Sequence, residues 1–316
     1  MTTENNMIEG KKVLVTGGSG FLGSVLVSRL REKYSKIDIS VPRSKDCDLR
    51  VWENAKRSVE GKDIVIHLAG NVGGIGLNQE KPGDLFYDNL LIGAYIVEAS
   101  RQAKVCKLVV IGTICSYPKF SPVPFLEEDI WKGYPEETNA PYGIAKKAIL
   151  VQTQAYRDQY GLNSIFLLQV NLYGPGDNFD LNTSHVIPAL IRKISDAKRK
   201  GLPAVQLWGD GSPTREFLYV EDAAEGILLA TERYNGREPV NLGTGREIAI
   251  GDLVEKIKNL MNYHGKVEWD TTKPNGQPRR CLDVSKAEKL FGFKAKTSLD
   301  EGLKKTIEWY ERQRGG

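Results

Sequence analysis

Cysteine is scarce in this chain: among 316 residues only Cys47, Cys106, Cys115 and Cys281 occur, and no two form a Cys-x-x-Cys pair. That spacing excludes a small disulfide-stapled domain and the common zinc ribbons. Histidine is scarcer, with three residues, and no grouping of His, Cys and carboxylates has metal-ligand spacing, so no metal is expected. Apolar runs long enough to cross a membrane are missing, and so is a secretory h-region. A cytoplasmic protein with reduced thiols and no membrane partner is the expectation. A strong charge of one sign is absent too. The 44 Lys plus Arg stand against 40 Asp plus Glu, a net +4 without a like-charge tail. Nucleic acid is therefore not an expected partner, and small anionic ligands fit better.

What is present is alternation. Residues 1–12 form a polar lead-in expected to fray. KKVLVTG is a short apolar run ending in glycine, and SVLVSRLREKY after it has helical spacing. IDISVPR reads as a second strand, KDIVIHLAG as a buried third, and CKLVVIGT and SIFLLQVNLYGPG as further strands, the last running into a loop. Between them DLFYDNLLIGAYIVEASRQA and YGIAKKAILVQTQAYRDQYG read as long helices. The pattern predicts an α/β fold, a doubly wound parallel sheet of Rossmann type with a smaller α/β lobe. Residues 1–176 plus 214–244 are assigned to a dinucleotide-binding domain, and 177–213 plus 245–316 to a substrate-binding lobe. IGDLVEKIKNLMN and SLDEGLKKTIEWYERQ are expected as helices of that lobe.

Gly17, Gly18, Ser19, Gly20, Phe21, Leu22 and Gly23 stand between the first strand and the first helix, where a dinucleotide fingerprint belongs. Gly17 permits the tight turn, Gly20 the approach of a pyrophosphate and Gly23 close helix packing. Near the end of the second strand, Arg43 and Lys45 precede any carboxylate. Basic residues there accommodate a 2′-phosphate, which favours NADP(H), with NAD(H) still open. Asp48 and Leu49 follow, at the adenine.

Tyr142 and Lys146 lie i and i+4 on one face of a predicted helix. A neighbouring ammonium favours the phenolate, which brings tyrosine, with a pKa of about 10 when free, toward acid–base work. Thr113, after a sheet strand, can add a hydroxyl to the same substrate oxygen. Cys115 and His185 carry groups that titrate near neutrality, suited to exchanging protons. His67 and His264 read as structural.

On the strength of NVGGIGLN (71–78), the Cys115-x-Tyr117-Pro118-Lys119 run, EETNAPYGIAKK, VNLYGPGDNF (170–179), SHVIPAL (184–190), WGDGSPTREFLYVED (208–222) and KPNGQPRRCLD (273–283), nearly the whole chain resembles the GDP-L-fucose synthase family of extended short-chain dehydrogenases/reductases. The resemblance implies an NAD(P)-dependent enzyme acting on a GDP-linked 4-keto-6-deoxy sugar. Cys115 would be the base and His185 the acid of C3 and C5 epimerisation. Tyr142, Thr113 and Lys146 would serve reduction at C4. It assigns the cofactor to the glycine turn and to Arg43, Asp48, Leu49, Ile111, Gly112, Tyr142, Lys146, Asn171, Leu172 and His185. Asn171, Lys193, Trp208, Arg215 and Asp283 match substrate positions. A homodimer built on the two long helices is also implied.

The chain departs from the family pattern at three places: Thr113 stands for a common serine, Ser19 for an arginine, and Asn71 for a lysine before VGGI. Ser19 removes a phosphate partner. A nonreducing NAD-dependent epimerase, a reductase of another GDP-deoxysugar and a noncatalytic nucleotide-sugar sensor remain alternatives.

Overall fold

The apolar runs 64–67, 107–113 and 164–169 are buried along their whole length, as strands covered on both faces must be. The computed structural model describes residues 7–273 and 275–315. The chain begins β1 (Lys12–Thr16), α1 (Phe21–Lys33), β2 (Asp38–Ser40), α2 (Trp52–Val59) and β3 (Ile64–His67). Helices α3 (Ile75–Glu80) and α4 (Pro82–Gln102) lead to β4 (Lys107–Thr113), and α5 (Ala140–Tyr160) leads to β5 (Ser164–Gln169). Then come β6 (Asn171–Tyr173), α6 (Val186–Arg199), β7 (Ala204–Trp208), β8 (Thr214–Tyr219), α7 (Val220–Arg233) and β9 (Val240–Leu242). The last elements are β10 (Glu247–Ala249), α8 (Ile250–Leu260), β11 (Lys266–Asp270), α9 (Ser285–Phe291) and α10 (Leu299–Gly315).

Six parallel strands in the order β2-β1-β3-β4-β5-β9 make the main sheet. The order reverses between β1 and β3, and a crevice opens there at the carboxyl ends of the strands. PVNLGTG returns to this sheet as the edge strand β9. Helices α8 and α10 line a second apolar cluster with α6, through Leu253, Ile257, Leu303, Ile307, Ile191 and Ile194.

Several elements differ from expectation. VNLYGP is more than a loop: after Gln169 the chain leaves the main sheet, and Asn171 opens β6, which pairs with β8 in a second sheet of order β10-β8-β6. The second strand stops at Ser40, short of IDISVPR. Helix α3 begins within NVGGIGLN, where the glycines hide its start from propensity. In the lead-in, Ile8 is wholly buried in the main core, and the Glu9 carboxylate accepts a 3.0 Å hydrogen bond from the Lys36 amide. Apolar burial thus fixes a segment expected to fray, while residues 1–6 lie outside the described ones.

The second sheet belongs to both cores because strand side chains alternate. Tyr173, Phe217 and Tyr219 enter the smaller cluster, while Leu218 and Leu172 pack on the larger. Glu216, fully buried on β8, ties this junction together. Its carboxylate accepts the amides of Leu282 at 2.7 Å and Gly245 at 2.8 Å, and that of Thr244. Burial raises its pKa, opposed by these N–H donors. Glu216→Gln turns a donor toward donors, and is expected to cost about 3 kcal/mol in urea denaturation.

His67, at the end of β3, is buried with Nδ1 2.7 Å from Thr16 Oγ1. Burial, with Lys146 adding a smaller push, lowers its pKa from 6.5 to about 3. Between those values the unfolded chain holds a proton that the folded chain refuses, so stability falls as pH falls through the window. The expected slope is at most about 1.4 kcal/mol per pH unit. His67→Gln should flatten this part of the profile in denaturation series across pH.

Candidate active site

The turn after β1 is shaped by backbone contact. Gly17 has φ +70, and a Cβ on it would lie 2.9 Å from the Ala69 amide nitrogen, in the turn after β3. A Cβ on Gly23 would meet Gly17 O at 2.1 Å, so α1 is drawn against the turn only because both positions are glycine. Gly20 is the N-cap of α1 and offers no side-chain acceptor, which leaves the first-turn amides to an anion.

From this turn a cleft of about 1290 Å³ runs between the main sheet and the smaller cluster. Such a cradle of bare backbone and free amides fits a dinucleotide pyrophosphate. Ser19, Gly20, Phe21, Leu22 and Gly23 line it, as do Asp48, Leu49, Ile111, Gly112, Asn171 and Leu172. Thr113, Cys115, Tyr142, Lys146 and His185 line the same cleft, with Lys193, Trp208 and Arg215 at its far end.

Thr113 closes β4, and its hydroxyl accepts from the Cys115 amide at 3.2 Å, which caps the turn that carries the thiol. Burial pushes the Tyr142 phenol well above its ordinary range, Cys115 adds to the push, and the Thr113 hydroxyl opposes it. Lys146 is buried, with Nζ donating to Ile111 O at 3.2 Å and lying 5.9 Å from the Tyr142 ring centre. Burial lowers its pKa to about 8. His185, the N-cap residue of α6, is also shifted down by burial, which favours the neutral imidazole.

Three expected residues stand apart from the cleft lining. Gly18 packs inward, where a Cβ would meet Val15 O at 2.9 Å. Arg43 is exposed outside the lining, which takes in Ser44, Lys45 and Arg50 instead. Asp283 instead accepts the Ser285 amide at 3.0 Å at the start of α9, as a short polar side chain does at a helix start.

Other residues were missed. Arg280, nearly buried, donates from Nη1 to Cys115 Sγ at 3.5 Å and from Nε to Gln277 Oε1 at 2.8 Å. Asn139 Oδ1 accepts from the thiol at 3.8 Å, and its amide nitrogen donates to the buried Glu136 carboxylate at 2.6 Å. The sulfur thus sits between a fixed acceptor and a guanidinium. Asn139 falls three residues before Tyr142 and was within reach of the motif; Arg280 lies 165 positions from Cys115, a distance no local pattern spans.

At the far end, Arg215 donates to Thr214 O at 2.7 Å and Asn275 O at 3.1 Å. Burial, and secondarily Arg280, lower its pKa to about 9. Lys193 and Lys273 lie 5.9 and 5.4 Å from the ring centre of half-exposed Trp208. Cationic charge here suits a phosphate-bearing ligand, and the indole suits a planar base. No group of residues that could hold a metal ion occurs among the described residues. No described helix is long and apolar enough to cross a membrane.

Comparison with known proteins gives the same picture. The chain is 39% identical over 304 residues to the GDP-L-fucose synthase of Sinorhizobium fredii, covering 96% of both chains. It superposes on a GDP-6-OMe-4-keto-L-xylo-heptose reductase from C. jejuni with TM-score 0.89 at 26% identity, covering 96% of this chain and 98% of that one. A GDP-L-fucose synthetase from Naegleria fowleri bound to NADP gives TM-score 0.88 at 28% identity, covering 97% and 96%. The model of the NAD dependent epimerase/dehydratase family matches residues 13–243. The chain belongs to that family, and within it to the GDP-L-fucose synthases.

Proposed function

We propose that this enzyme converts GDP-4-keto-6-deoxy-D-mannose to GDP-L-fucose by epimerisation at C3 and C5 and NADP(H)-dependent reduction at C4. The observation that carries the reading is that Cys115, His185, Tyr142 and Thr113 line one cleft that begins at a dinucleotide turn. The turn from Gly17 to Gly23 would hold the pyrophosphate, Ser44 and Lys45 the 2′-phosphate, and Lys146 the nicotinamide ribose. Bound NADPH supplies the hydride for C4.

The ketone acidifies the hydrogens at C3 and C5. Cys115 takes the proton, with Asn139 and Arg280 fixing the sulfur, and His185 returns one to the opposite face. Tyr142 and Thr113 hold the enolate oxygen through these steps. In the reduction Tyr142 gives its proton to the C4 oxygen, and the Lys146 ammonium beside it eases that loss by stabilising the phenolate. Arg215 and Lys193 hold the diphosphate, Trp208 offers a face to guanine and Asn171 faces the sugar. A second reading, reduction of a GDP-linked heptose ketone, is favoured by the likeness to a heptose reductase.

We place the protein in the cytoplasm, where the exposed Cys106 stays reduced. The division of the chain into residues 1–176 plus 214–244 and 177–213 plus 245–316 serves cofactor and sugar respectively. A homodimer through α4 and α5 would cover the exposed Phe86, Tyr87, Val151 and Tyr160. Tyr87→Glu with Val151→Glu is expected to give a monomer in sedimentation; a monomeric parent protein would rule the dimer out.

Cys115→Ser should lower solvent-deuterium exchange into substrate about 10²–10⁴-fold while NADPH still binds. Tyr142→Phe should cut NADPH oxidation by a comparable factor with little change in GDP-sugar affinity. Mass spectrometry of the sugar and coenzyme absorbance read the two separately. Exchange that survives loss of the thiol would remove Cys115 from its role.

A further inference from the structure

The reaction leaves the NVGGIGLN segment without a task, yet hydrogen bonds hold it at both ends in the cleft wall. Asn71 Nδ2 donates to Asp88 Oδ2 at 3.0 Å, and Asn71 O accepts from Asn89 Nδ2 at 2.8 Å, which pins the start of the segment to α4. At the other end the buried Asn78 amide donates 3.0 Å bonds to both Gly73 O and Gly74 O. The two glycines between are held by their carbonyls.

Their other face meets the segment that leads into α6. The Gly74 amide donates to Thr183 O at 3.1 Å. A Cβ on Gly74 would lie 2.5 Å from Ser184 O, and one on Gly73 would lie 3.2 Å from Thr183 O. At Gly74 backbone rests on backbone, which no side chain allows; at Gly73 the nearer obstacle is the Leu77 side chain, whose Cδ2 would lie 2.5 Å from an added Cβ. The next residue is His185, whose ring makes no capping hydrogen bond to its own helix. Where the imidazole stands therefore follows from where residues 183–184 stand. Asp180 O gathers the Thr183 and Ser184 amides at 3.2 and 2.7 Å, so the approaching turn is stiff and a push at Ser184 passes on to His185.

We propose that Gly73 and Gly74, clamped by Asn78, form a backbone seat that sets the position of His185, and that they are positioning residues for proton return during epimerisation. The proposal rests on the acid role given to His185 above. It assigns the paired glycine a task distinct from cofactor contact: the nucleotide-binding side of the cleft fixes an acid carried by the helix of the other side. Misplacing a proton donor by about 1 Å can cost about a hundredfold in rate.

Gly74→Ala tests it with two readouts. The first is carbethoxylation of the free enzyme by diethyl pyrocarbonate, followed peptide by peptide. With three histidines in the chain and His67 only 1% exposed, His67 reports any general loosening. The His185 rate is expected to change severalfold while His67 stays protected. The second is the ratio of solvent-deuterium exchange at C3 and C5 to NADPH oxidation, expected to fall about a hundredfold. Asn78→Leu, which removes the clamp and leaves both glycines, should move both readouts the same way by less, and decides the matter if Gly74→Ala exposes His67. An unchanged His185 rate in folded variants overturns the seat. A changed rate in an enzyme whose parent shows no exchange keeps the seat and overturns the acid role instead.

Discussion

The buried carboxylate of Glu216 is the contact on which the arrangement of the two cores depends. Of the places where the chain passes between them, those near residues 170, 244 and 282 all touch this residue. Thr244, Gly245 and Leu282 donate amides to its carboxylate, and Asn171 Nδ2 donates to its carbonyl at 3.2 Å. A carboxylate offers about four acceptor positions, which is why one side chain can gather three backbone donors in a dry interior. The strand that carries it shares its side chains between the two apolar clusters. Displacing β8 would therefore strain both cores.

The groups proposed for both reactions line one cleft. Thr113 and Tyr142 come from a strand end and a helix start into one cleft, and the turn that carries Cys115 is capped by the same threonine. The proposed base and the proposed oxyanion donors are thus built on one local frame. His185 arrives from the other core, and its proposed seat on Gly73 and Gly74 joins it to that frame. Electrostatics follow the same division. Burial holds down the charge on Lys146 and Arg215, so an arriving phosphate or phenolate meets cations poorly compensated by the protein.

Much of this was legible in the sequence because it is local. Alternating apolar runs gave the main sheet, and the glycine turn and the i, i+4 pair of Tyr142 and Lys146 were each visible as local patterns that the fold brings to one cleft. Where the structure adds to the reading, the cause is long-range or steric. Arg280 reaches Cys115 across 165 positions, so only the fold brings them together. Asp283 looked like a ligand residue because its surroundings matched a motif, and it is a helix-start acceptor. Arg43 and Lys45 are equivalent on paper; the turn after β2 leaves Lys45 and not Arg43 in the lining. Ile8 shows the reverse error, a polar-looking segment anchored by a single apolar side chain.

The central claim is that epimerisation and reduction occur in one cleft on one substrate. The most direct test is to incubate the enzyme with GDP-4-keto-6-deoxy-D-mannose and NADPH in D₂O and to examine the product by NMR. The account predicts GDP-L-fucose carrying deuterium at C3 and C5, formed mole for mole with NADPH oxidised. Oxidation without deuterium at either carbon would make the protein a C4 reductase alone, and deuterium without oxidation would make it a nonreducing epimerase; either result contradicts the account.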